Sequence, residues 1–146
     1  MTILLFSLLS FITGAVAPGE PQRAELLFVG DAMQHQAQLD RARELGGDCY
    51  DYSDCFTYIA PEITAADYAV CNLEVPLGGG PSYSGYPCFS APDSYAQALK
   101  DAGFDMFLTA NNHCLDRRDK AARRTLTALD SLGVDHIGTY HDGTAD

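Results

Sequence analysis

The sequence predicts an α/β domain built on a parallel sheet of four strands. Three observations lead there: short apolar runs alternate with longer stretches poor in helix breakers, those stretches close at Gly46, Gly103 and Gly133, and the apolar runs give way to polar residues. Alternation of this kind is what crossover connections between parallel strands produce. A hydrophobic share of 47% with 20% charged residues belongs to a chain able to bury a core rather than stay disordered. At 146 residues it holds one domain's worth of material.

Ala24 to Val29 is mostly apolar and ends at Gly30-Asp31, which predicts a buried strand running into a tight loop. Ala32 to Leu45 predicts a helix with Gly46-Gly47 as its stop. Asp54 to Thr64 predicts a second helix, shortened or kinked by Pro61. Tyr68 to Cys71 is the second strand and leads into Asn72-Leu73-Glu74. Val75 to Ser90 holds Gly78-Gly79-Gly80, Pro76, Pro81 and Pro87, which neither a helix nor a central strand accommodates. It is a long loop, and Tyr83, Tyr86 and Phe89 on it predict a substrate-facing segment. Pro92 suits the first turn of a helix reaching Ala102. Phe104 to Thr109 is the third strand, followed by Ala110-Asn111-Asn112-His113. Asp116 is placed to cap a helix to Leu132 whose Leu126, Leu129 and Leu132 share a face, and Val134 to Ile137 is the fourth strand.

Residues 1–17 carry no charged side chain, and their apolar run from Ile3 to Ile12 is short for a bilayer crossing. With small residues at Ala15-Val16-Ala17 the segment reads as an export signal, the alternatives being an uncleaved anchor or a buried first element. Export implies a periplasmic, cell-envelope or secreted protein. Residues 18–23 form a linker and 24–146 the domain. Nine Lys and Arg against 20 Asp and Glu leave a net charge of −11, with no basic face visible. That balance argues against nucleic acid or an anionic membrane held by bulk charge. The five cysteines are odd in number; Cys49 and Cys55 flank one loop and are candidates to pair, whereas Cys71 reads as a buried thiol.

In a parallel sheet, ligands gather outside the carboxyl ends of the strands. The first strand brings Asp31 there, the second Asn72 and Glu74, the third Asn111, Asn112 and His113. Carboxylates, amide oxygens and imidazole suit divalent Mn, Fe or Zn, with a carboxylate bridging if two ions bind. Each residue alone also has a plainer role, as turn former, surface charge or satisfied loop histidine.

Gly30-Asp31 with Met33, Asn72-Leu73-Glu74-Val75-Pro76, Ala110-Asn111-Asn112-His113 with Asp116, and Gly133 to Gly138 resemble the bacterial capsule-synthesis CapA/PgsA family. The resemblance implies a fold similar to calcineurin-like metallophosphoesterases and a part in making or tethering poly-gamma-glutamate or another anionic polymer, beside membrane-bound capsule machinery. By position it implies Asp31, Glu74 and Asn112 as metal ligands, Glu74 bridging, and His113 as the group serving a phosphate or leaving group. Asn72, Asn111 and Asp116 would support them. Met33 stands where those phosphoesterases place a histidine two residues after the first aspartate, and their further histidines come from a later half of the sheet. The sequence therefore reads as the front part of such a domain, with any hydrolysis belonging to the longer protein and not to this chain alone. The alternative is a non-catalytic binding or assembly component with a degenerate site.

Overall fold

Helix stops and strand pairing set the element boundaries of the computed structural model, which describes residues 23–141. Strands β1 (Leu26–Ala32), β2 (Tyr68–Leu73), β3 (Met106–Leu108) and β4 (Asp135–Ile137) lie in that order, each neighbouring pair parallel. Between them run α1 (Gln36–Gly46) with a 3-10 turn after it, α2 (Ala60–Thr64), α3 (Asp93–Asp101) and α4 (Arg118–Leu132). The predicted parallel α/β fold is the one observed.

Strands added in sequence order through crossovers of one hand carry their helices on one face. A single core cluster accordingly joins Ala42 of α1, Ile63 of α2, Tyr95 and Leu99 of α3 and Leu129 of α4 to Ala69, Cys71, Leu73 and Phe107 of the sheet. Side chains alternate along a strand, so Tyr68, Val70 and Asn72 point to the opposite face. On that face Phe28 is 70% exposed, and Leu108 and Ile137 are exposed as well.

The first strand extends beyond its predicted end. Three residue steps on β1, Phe28 to Asp31, match two on β2, Val70 to Asn72, a bulge that places Asp31 opposite Asn72. Strict alternation from Phe28 would have turned Asp31 toward the helices. Pairing continues through Ala32, whose carbonyl accepts from the Glu74 N–H at 3.1 Å. The first helix consequently starts at Gln36, where the Gln38 side chain accepts from the His35 N–H. The predicted helix from Asp54 is instead a run of turns up to Ile59, because Pro61, lacking an N–H, sits in the first turn of α2 rather than inside a longer helix.

Asp116 is not the cap of α4; Arg117 occupies that position without a side-chain cap bond. Its carboxylate is drawn away to the Phe89 N–H at 2.8 Å. At the other end Gly133 adopts the left-handed conformation and returns its N–H to Asp130.

The Val75–Ser90 loop is firmly anchored: Val75, Leu77 and Phe89 are buried, and Ser84 and Ser90 exchange backbone hydrogen bonds. All five cysteines are free thiols, so Cys49 and Cys55 do not pair. Cys71 is buried, and desolvation pushes its thiol up to about 12. The expected export segment and all of the linker but Arg23 lie outside the described residues. Among the described residues no helix is long and apolar enough to cross a membrane.

Candidate functional site

The parallel register brings three strand ends side by side, and a continuous hydrogen-bonded chain crosses them. The Asn72 amide donates to Asp31 Oδ1 at 2.8 Å and to Glu74 Oε2 at 2.7 Å, bridging the two carboxylates. Its Oδ1 accepts from Asn111 Nδ2 at 3.1 Å, which also donates to the Leu73 carbonyl. Asn111 Oδ1 in turn accepts from the His113 N–H at 3.1 Å, folding the loop after β3 back on itself. The His113 ring meets Asp116 through Nδ1 at 2.9 Å, and both side chains are mostly covered.

The two carboxylates differ in environment. Glu74 is 8% exposed, and burial, the hydrogen bond shared with Asp31 and the Asp31 charge hold its carboxyl above the ordinary range, against a smaller pull from His113. Asp31 is exposed, and its hydrogen bonds to Asn72 and then Glu74 hold it below the ordinary carboxylate range. A pair pushed apart in this way carries one charge easily and the second at a cost, which added positive charge would relieve.

Asp31, Asn72, Glu74, Asn111, His113 and Asp116 are thus joined in one network. Asn112 is exposed and stands outside these bonds. Met33 packs against the core. On the loop, Tyr83 rests edge-on against Tyr50 at 5.2 Å and Tyr86 is 73% exposed. Phe89 is the loop aromatic nearest the network, edge-on to His113 at 4.7 Å and to His35 at 5.2 Å. His35 was not legible as a neighbour, since only the folded loop brings Phe89 between the two rings. Gln34 escaped notice too: it is fully buried, with its carbonyl accepting from the Tyr52 hydroxyl at 2.6 Å.

The donor set is incomplete for a metal. Asp31 and Glu74 are suitable oxygen ligands, but among the described residues no three His, Cys, Asp or Glu side chains converge to hold an ion. A cavity of about 330 Å³ lies elsewhere, between the turns before α2 and α3, lined by Tyr50, Tyr52, Phe56 and Gln97. The expectation of no basic face is corrected here: five of the nine basic residues, Arg117, Arg118, Lys120, Arg123 and Arg124, fall within eight consecutive positions.

Fold and site together define a parallel α/β domain with carboxylate, amide and imidazole groups collected at its strand ends. Residues 25–146 match the family described as bacterial capsule synthesis protein PGA_cap, and the chain belongs to that family. It is 28% identical over 134 residues to the capsule biosynthesis protein CapA of Bacillus anthracis, a match covering 86% of this chain and 31% of that protein. The chain therefore spans about a third of the length of the curated relative it matches.

Proposed function

We propose that this chain supplies the first part of a divalent-cation site in an exported capsule-synthesis protein that acts on an anionic polymer or a phosphoester. The observation that carries the reading is the pairing of Asp31 with Glu74 across the Asn72 amide, at the carboxyl ends of adjacent parallel strands. Asp31 and Glu74 would hold the Mn, Fe or Zn ion, with Asn112 reaching it from the next strand end. A bound ion would polarise a phosphoryl group and lower the pKa of a water. His113, oriented through Nδ1 by Asp116, would serve the leaving group from its other ring nitrogen. The Val75–Ser90 loop, with Tyr83 and Tyr86, would face the substrate. Remaining ligands would come from sequence beyond this chain, as would contacts to membrane-bound capsule machinery.

A second reading has its own support: the missing third ligand side chain and the engagement of both carboxylates by Asn72 suit a binding or assembly component with a degenerate site. Thermal unfolding with added Mn²⁺, measured on the protein carried to the full length of its relative, separates the two. An ion held at about 100 times its dissociation constant stabilises by about 2.7 kcal/mol. A rise in Tm that is lost in both Asp31→Asn and Glu74→Gln supports the metal reading. Equal Tm values with and without the ion, in wild type and variants alike, support the assembly reading.

A further inference from the structure

A cavity of about 240 Å³ opens between the glycine-rich start of the long loop and the first turns of α4, lined by Gly78, Gly80, Ser82, Arg117, Lys120 and Arg124. We propose that this cleft binds consecutive carboxylates of a polyanionic chain. In naming a polycarboxylate the inference rests on the capsule-polymer reading above; the cavity and its charge do not depend on that reading.

The charge is concentrated and left partly unanswered. Arg117 to Arg124 carries five cations and one carboxylate in a chain whose net charge is −11. That carboxylate, Asp119, is taken by Arg123 at 2.8 Å. Asp116 is turned away to His113 and the Phe89 N–H. Arg117 donates only to neutral oxygens, Ser84 Oγ and the Cys88 carbonyl, which fix the guanidinium without neutralising it. Lys120 is exposed and has no ion-pair partner among the described residues.

The cleft already shows how it treats a carboxylate. On its wall Arg124 grips Asp93 through both terminal nitrogens, while donating to the Leu77 carbonyl at 3.0 Å. The loop is shaped to allow this approach: a Cβ at Gly79 would lie 2.7 Å from Arg124 Nε, and Gly79 and Gly80 both have positive φ. A ligand carboxylate entering beside Asp93 would meet Lys120 and Arg117 as the next cations. A flexible single chain suits the arrangement better than a nucleic-acid duplex, because the acidic remainder of the surface repels a rigid polyanion that must extend past the cleft.

Fluorescence anisotropy of a labelled linear glutamate polymer, titrated with the full chain at low and physiological salt, tests the proposal. Wild type should bind with an affinity that falls as salt rises. Lys120→Glu should weaken binding at least about tenfold and Lys120→Gln less, since one reverses and the other only removes a charge. Both variants should keep any Mn²⁺-induced rise in Tm. Absence of polymer binding by wild type, affinity unchanged by Lys120→Glu, or tighter binding of a single-stranded oligonucleotide than of the glutamate polymer would each overturn the proposal. Loss of the Mn²⁺ effect with polymer binding intact would instead remove the metal reading and leave the cleft standing.

Discussion

Asn72 holds two carboxylates with one amide, and that arrangement makes the stability of the molecule depend on pH in a definite direction. Glu74 has a raised folded-state pKa, so the folded chain binds its proton more tightly than the unfolded chain does. Its contribution is favourable at pH below the ordinary value of 4.5 and is lost as pH rises through the higher folded value. Asp31 has the opposite sign: it favours folding above its ordinary value of 3.8, and that advantage disappears as pH falls through the lowered folded value. Glu74→Gln keeps an acceptor for Asn72 and removes the titration. In urea unfolding between about pH 4 and pH 7, wild type should lose stability relative to this variant as pH increases. Parallel profiles would show that folding leaves the Glu74 carboxyl at its ordinary value.

At the scale of elements, one of the ties by which α4 secures the long loop is a buried hydroxyl. Thr125 Oγ1 accepts from the Leu77 N–H at 2.9 Å and donates to the Ala121 carbonyl at 2.8 Å, with both Thr125 and Leu77 buried. Thr125→Val preserves shape but strands the Leu77 N–H, which costs about 1–3 kcal/mol. Thr125→Ser keeps the hydroxyl and should recover most of the loss; equal destabilisation by the two would assign the effect to packing. This anchor could not be read in advance, because it joins residues 48 positions apart, whereas the helix itself was legible from Leu126, Leu129, Leu132 and the stop at Gly133. The same division holds at the site. Polar residues after apolar runs marked Asp31, Asn72, Glu74 and His113, since local pattern locates strand ends. The bulge that turns Asp31 toward Asn72 and the pull of Phe89 on Asp116 depend on cross-strand and loop contacts that no local pattern records. The basic run from Arg117 to Arg124, by contrast, stands in consecutive sequence and is lost only when charges are summed over the whole chain.

For the whole molecule, the one-directional strand order has a consequence for the face opposite the helices. Phe107 points into the helix-covered core and is fully buried, while its neighbours Leu108 and Ile137, with Phe28 on the other edge, lie on the second face and are exposed. Exposed apolar surface of this kind binds hydrophobic dyes and favours association. Phe28→Ser should therefore reduce dye fluorescence and change stability by no more than about 0.5 kcal/mol, as a surface substitution does. Phe107→Ala, by contrast, opens a cavity in the core and should cost about 3–5 kcal/mol. Denaturant unfolding of the two variants at several protein concentrations distinguishes the possible states of the face. A large cost at Phe28 that grows with protein concentration would mean that a second copy covers it. A large cost independent of concentration would mean that residues of the same chain do. A small cost with reduced dye binding means that the face is open in this chain, and that the site beside Asp31 and Asn72 is open with it.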